Sequence, residues 1–244
     1  MKAITFIAIT LIAGAIAGTI LGILNQGIVE PYIEQAIALE NEKAAAAEED
    51  ELVNAAEFNS YRYWQRGGEI AAGTILGTSI AALFGIVFAY SRNSIPGSSN
   101  KKKALILAGI MWFVLFIVPA LKYPANPPAV GDPETIYYRQ SLYIVYLSIS
   151  GFTALGVALM YTKMEAIQSK RVLIVPAIYA IMMVASYLAL PPNPDTINAP
   201  MDLVTGFRIA SGFTMSIFWG LLGIILGAFW DKTKLHEKAK IATV

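Results

Sequence analysis

Six stretches of about 18 or more residues run without an interior Asp, Glu, Lys or Arg, at roughly 3–25, 68–91, 104–121, 140–161, 172–190 and 208–230. That is the length an apolar helix needs to cross the hydrocarbon of a bilayer. The chain is 56% apolar and only 14% charged, whereas soluble domains are about one-quarter charged, so an ordinary soluble domain and a disordered tail are both excluded. The expected fold is all-α. It is a polytopic membrane helix bundle forming one integral membrane domain over residues 1–244, with six transmembrane helices arranged as three hairpins and a short extracytoplasmic helical segment. The first run follows Met1 and Lys2 as a signal peptide would, but it is about twice the length of a usual signal core, and it is read as a retained helix.

Charge sets the expected orientation. The linkers after the second, fourth and sixth spans are short and basic, carrying Arg92, Lys101, Lys102 and Lys103, then Lys163, Lys170 and Arg171, then Lys232, Lys234, Lys238 and Lys240. With Lys2 that side holds 12 positive charges, against 6 on the other side. The positive-inside rule then places both termini in the cytoplasm of a cell (cytoplasmic) membrane, with the tail 231–244 inside. On this assignment the outer side carries a net −8 and the inner side +9, a strong dipole hidden in a total of +1.

The outer loops share a pattern. YWQRGG, IYYRQS and TGFRIA place an aromatic and then Arg66, Arg139 or Arg208 at the outer mouth of the second, fourth and sixth helix, and PANPP (124–128) and PPNP (191–194) each follow a span directly. A weak hairpin repeat would produce this; so would the general use of snorkelling arginines and helix-ending prolines. The first outer loop, 26–67, is longer. Pro31 suits a helix start and Ala44 to Glu57 is rich in helix formers, so one or two amphipathic helices are expected, anchored by Ile33, Ile37, Leu52, Val53 and Phe58.

Small residues recur every four positions at Gly14, Gly18 and Gly22, at Gly73, Gly77, Ala81 and Gly85, and at Gly212, Ser216 and Gly220, with Gly223 and Gly227 offset. Such spacing lets helix backbones approach closely in lipid, which predicts a tightly packed bundle. The bulkier third and fifth helices, with Trp112, Phe113 and Phe116 or Met182, Met183 and Tyr187, are expected to face lipid or a partner.

Little in the chain suggests catalysis. There is no cysteine and one histidine, His236, and every Asp, Glu, Lys and Arg falls in a loop or at a helix end, Glu69 and Arg208 intruding furthest. Mid-membrane carboxylates of a proton-coupled carrier are absent, as are a hydrolase's nucleophile and base and any phosphate-cradling or dinucleotide motif. The intramembrane polar groups are hydroxyls such as Thr19, Thr74, Thr78, Ser79, Ser148, Thr153, Ser211 and Thr214, with Asn25 near an end, and hydroxyls there usually bond their own helix's carbonyls. An enzyme is not expected.

Carboxylates gather instead on the outer face. Glu30 and Glu34 are one turn apart, Glu48, Glu49, Asp50 and Glu51 form a run, and Asp132, Glu134, Asp195 and Asp202 lie in or beside the proline-rich loops. Oxygen ligands in this number could attract cobalt or another divalent cation, so Glu30, Glu34, Asp132, Glu134, Asp195 and Asp202 are the metal candidates. Charge runs are more often solvated faces. Asn126, Pro127, Pro128, Gly131, Asp132, Arg139 and Arg208 form the expected loop framework, with the arginines paired to loop carboxylates.

The string KYPANPPAVGDPETIYYRQSLYI (122–144) resembles the proline-rich signature of the CbtA family, the predicted membrane subunit of a cobalt transporter. VEPYIEQA (29–36), RGGEIAAGTILG (66–77) and PMDLVTGFRIASGFTMSIFWGLLGIILG (200–227) extend the resemblance, in order, over nearly the whole chain; the acidic segment Ala44 to Glu57 stands outside it. The resemblance implies a cytoplasmic-membrane component of cobalt uptake for cobalamin synthesis. It also implies a small single-span partner, CbtB, with a histidine-rich end. Two functions therefore stand open, a metal-ion (cobalt) uptake component and a non-transporting accessory subunit of a larger membrane complex. The partners expected are the bilayer, the CbtB-like or other membrane subunits and further copies of the chain, and no nucleic acid.

Overall fold

The structure is a computed structural model that describes residues 2–46, 55–128, 130–163 and 168–242. The acidic run Glu48 to Glu51 and the expected anchors Leu52 and Val53 lie outside the described residues, as do the side chains of Phe58 and His236. Every regular element among the described residues is helical: α1 (Ala3–Ile28), α2 (Glu30–Ala46), α3 (Ala55–Ser91), α4 (Asn100–Trp112), a π-helical turn (Phe113–Ile117), α5 (Val118–Lys122), a 3-10 turn (Pro133–Thr135), α6 (Ile136–Lys163), α7 (Gln168–Ala189) and α8 (Met201–Ala242). Six helical stretches are long and apolar enough to cross a membrane: Ala3–Ile28, Ser60–Ser91, Asn100–Lys122, Pro133–Tyr161, Val172–Ala189 and Met201–Thr233.

The elements divide into two compact units. The first contains α1, α2, α3, α4 as far as Ile110, and α8. Its centre is the α1–α3 contact, made by the glycines of both helices. A Cβ added to Gly18 would land on the Gly73 carbonyl and lie 3.0 Å from Gly77 Cα; one on Gly77 would lie 2.6 Å from Gly18 Cα, and one on Gly22 2.7 Å from Ile70 Cα. Gly14 meets Gly77 and Ala81 in the same way. Only backbones without side chains fit at this separation, where dispersion and weak Cα–H contacts hold helices together. Beside the seam, Thr74 donates its hydroxyl hydrogen to Ile70 O at 2.8 Å, so the 2.8 Å bond between Thr19 and Thr74 is donated by Thr19.

On α8 the close approach is displaced from the expected positions. A Cβ on Gly212 or Gly220 meets nothing within 4 Å, whereas one on Gly227 would lie 2.5 Å from Lys101 Cα and one on Gly223 2.8 Å from Ala108 Cβ. A four-residue spacing identifies a face that is able to approach; it does not say which face of the helix is turned to a neighbour. The α8 to α4 contact is finished by Asp231, which accepts from Asn100 N–H at 3.2 Å, Asn100 Nδ2 at 2.7 Å and Lys101 N–H at 3.1 Å. A carboxylate at the N-terminus of α4 satisfies orphan donors and the helix dipole together. Nearby, Trp230 lies edge-on to Phe6 and Phe88, and the Arg92 guanidinium sits 4.9 Å from its ring centroid.

The second unit holds the rest of the third span, α6, α7 and the proline-rich loops apart from Pro127 and Pro128, which belong to the first unit. Its core is Val118, Tyr123, Leu142, Tyr146 and Met183. On the fifth span Met182 and Tyr187 are exposed as expected, but Met183, expected outward with them, is buried in this core, because it falls where α6 packs on α7; the third span likewise buries Leu107, Met111, Val114 and Val118 and leaves only part of its bulk, such as Phe113, outward.

Candidate functional site

Polar groups collect in three places. In the first unit, Glu30 opens α2 immediately after the turn at Val29 and is 7% exposed. Its carboxylate is met by the guanidinium of Arg62 and by Arg66 Nε at 3.2 Å, and Arg66 also pairs with Glu34. Arg62 further donates to Gln65 Oε1 at 2.8 Å. This works because α3 begins well before the expected span, so Arg62 and Arg66 stand a turn apart on a continuous helix facing α2. A shallow cleft of about 340 Å³, lined by Glu34, Ile37, Asn41, Arg62, Tyr63 and Arg66, adjoins the cluster.

The second place is the loop framework of the second unit. Asp195, with its side chain 8% exposed, accepts from Arg139 Nε at 2.9 Å, from the Thr135 hydroxyl at 2.8 Å and from Asp132 N–H at 3.0 Å. Arg139 also donates to Val130 O and Asp132 O. Asp132 caps the 3-10 turn by accepting from Glu134 N–H at 2.9 Å. Gly131 adopts φ +97°, and a Cβ there would strike Asp195 and lie 2.8 Å from Arg139 Nη1. Only glycine satisfies both conditions. The string V-G-D-P-E-T thus has a physical reading: Gly131 lets the chain pass, Asp132 and Pro133 start the turn, Thr135 and Arg139 bind Asp195.

The third place lies deeper in the same unit and escaped the sequence reading. Val118 N–H bonds Phe113 O across the π turn, and Tyr123 N–H bonds Pro119 O as the α pattern resumes. Val114 O therefore loses its i+4 donor to Phe113, and its i+5 partner would be Pro119, which has no N–H. The Ser150 hydroxyl donates to Val114 O at 2.6 Å instead, and since its hydrogen is committed there, the Tyr179 hydroxyl donates to Ser150 at 2.7 Å. Ser150 is fully buried. Ser150→Ala strands both the carbonyl and the phenol, and the expected loss of about 1–3 kcal/mol is read as a lower thermal midpoint of unfolding in detergent. The only sequence cue was Pro119 inside an apolar run.

At the end of this span Lys122 Nζ donates to Tyr187 O at 2.7 Å and Leu190 O at 3.0 Å, and the Tyr123 hydroxyl to Pro191 O at 2.6 Å. Burial, aided by Tyr138, pushes the Tyr123 phenol above its ordinary value and keeps it a donor.

The metal candidates are thus dispersed. Glu30, Glu34 and Asp195 face guanidinium groups, Asp132 caps a turn, Glu134 is exposed, and Asp202 is exposed in the first turn of α8. Among the described residues no group of three or more His, Cys, Asp or Glu could hold a metal ion. Of the loop residues, Pro127 is buried, Pro128 is exposed, and Asn126 and Arg208 are half-buried with partners of their own.

Six helices long and apolar enough to cross a membrane, with ion pairs clustered beside their ends, define an all-helical, multi-pass membrane protein. The model of one protein family, described as Probable cobalt transporter subunit (CbtA), matches residues 3–231, and the chain belongs to that family. No curated protein and no solved structure matches the chain.

Proposed function

We propose that the chain is the multi-pass scaffold of a cobalt uptake system, acting with a small histidine-bearing, CbtB-like membrane subunit that supplies the stronger metal ligands. The observation that carries the reading is the family match over residues 3–231. The chemistry of the chain supports the division of labour. Cobalt favours imidazole and thiolate as well as oxygen, and the sequence offers no cysteine and one histidine. The acidic residues Glu30, Glu34 and Asp195 are engaged by arginines, which suits a scaffold better than a self-sufficient metal centre.

In this reading both termini are cytoplasmic, and the side with a net −8 faces outward, where its field raises the local concentration of divalent cations. The carboxylates Glu134 and Asp202 and the acidic segment beyond Ala46 collect the ion; the bundle and its partner pass it on. Proteoliposomes containing the chain and a histidine-bearing single-span partner are expected to accumulate radiolabelled cobalt, and those with either subunit alone to accumulate much less. Absence of flux in every combination would leave the accessory-subunit reading in its place.

A further inference from the structure

The short helix α5 (Val118–Lys122) is set off from its span at both ends. On one side is the π turn Phe113–Ile117 with Pro119 just beyond it, so no backbone N–H reaches back to Val114 O, which accepts instead from the Ser150 side chain. Helices bend where the main-chain ladder is interrupted in this way. On the other side Lys122 and Tyr123 grip three carbonyl oxygens at the end of α7, Tyr187, Leu190 and Pro191, and the ammonium lies 4.4 Å from the Tyr187 ring centroid. Carbonyls at a helix C-terminus carry the negative end of its dipole, and an ammonium over an aromatic face is attracted as well. Every one of these grips is a side chain on backbone, so releasing them breaks no helix.

We propose that Val118–Tyr123 is a hinged flap that turns about the π turn, closed while Lys122 and Tyr123 hold the α7 carbonyls and open when they let go. Its inner face covers Leu142, Tyr146 and Met183, and Tyr123 lies edge-on to Tyr146 with centroids 6.0 Å apart. Opening uncovers the Tyr146 hydroxyl, bonded to Met183 O at 3.3 Å, and behind it the Tyr179–Ser150 pair. The closed flap is a lid on a lane of hydroxyls. Its use as an outer gate rests on the transport reading, whereas the movement itself is measured without any ion.

The absence of native cysteine allows clean pairs of spin labels. Labels at Leu121 on the flap and Leu188 on α7, 69% and 77% exposed, are expected to give one narrow distance in the otherwise unchanged chain in detergent micelles. In the Lys122→Ala, Tyr123→Phe variant a second population appears, longer by up to about 4 Å, the swing of a residue roughly 6 Å from its pivot turned through about 40°. Lys122→Arg with Tyr123 retained keeps the single distance. A second pair at Leu159 and Leu173 stays unchanged throughout. A single unshifted flap distance in the double variant overturns the proposal, and so does equal broadening of both pairs, which reports a loosened bundle. If the double variant does not fold, Lys122→Gln alone is read by the same two pairs. None of these results bears on cobalt flux, so the flap and the transport reading fail separately.

Discussion

Gly18→Leu is expected to leave no folded protein in detergent, while Gly212→Leu leaves stability within about 0.5 kcal/mol of the starting chain. The two glycines look alike in the sequence, each in a four-residue repeat on an apolar helix. Their surroundings differ. A Cβ on Gly18 would land on the Gly73 carbonyl and lie 3.0 Å from Gly77 Cα, whereas one on Gly212 meets nothing within 4 Å. Overpacking in a core ordinarily costs about 1–3 kcal/mol because neighbouring side chains rotate aside. Here the obstacles are main-chain atoms of a helix that cannot rotate aside, so α1 and α3 must separate along their length and lose the Thr19–Thr74 bond as well. The cost therefore exceeds that range. Gel filtration and thermal unfolding in detergent separate the outcomes: a Gly18→Leu protein with an unchanged midpoint would mean that the α1–α3 seam does not hold the first unit together.

The same pair of glycines shows what could be read from residues alone. The six spans were legible because a charge-free run of that length has few alternatives in water or lipid. The α1–α3 glycine face was legible because both helices carry matching repeats. On α8 the repeat named Gly212 and Gly220, yet Gly223 and Gly227 make the contact, since periodicity carries no information about which way a helix is turned. The start of α3 was missed for a related reason. Charged residues such as Arg62 and Arg66 read as loop, but Glu30 and Glu34 on α2 neutralise the two arginines and let one helix run from Ala55 to Ser91.

The least legible features are side chains bonding distant backbone. Ser150 reaches Val114 O across 36 residues and Lys122 reaches Leu190 O across 68. A carbonyl has no residue identity, so no motif announces its partner. The loop framework lies between these cases. Gly131, Asp132, Arg139 and Asp195 were each singled out by type and neighbourhood, and a pairing of Arg139 with a loop carboxylate was expected; what the sequence lacked was which carboxylate, since that depends on how two loops about 60 residues apart meet in space.

That pairing carries the second large effect. Asp195→Ala removes the carboxylate that Arg139 Nε, the Thr135 hydroxyl and Asp132 N–H share; the hydroxyl can turn to Asp132 O at 2.9 Å and Arg139 Nε keeps its 3.0 Å bond to Thr135, so the main loss is the anion facing the guanidinium. Removing one member of a buried ion pair costs about 3–5 kcal/mol, most of it the penalty of the charge left behind. Arg139 retains 22% side-chain exposure and the carbonyls of Val130 and Asp132, so water and those oxygens relieve part of the penalty and the lower end, about 3 kcal/mol, is expected. Asp195→Asn separates charge from shape, because its amide oxygen still accepts from Thr135 or Asp132 while the ionic term is lost; it should fall between the parent and the alanine variant. Arg139→Met in the Asp195→Ala background removes the cation left without its anion and is expected to recover part of the loss, since an apolar side chain replaces an unpaired charge. Thermal unfolding of the four proteins tests the set. Equal midpoints for Asp195→Ala and the parent would show that the proline-rich loops are held by their turns alone. In that event the position of Gly131, whose φ of +97° brings the chain against Asp195 and Arg139, would have to be explained by chain geometry without the ion pair.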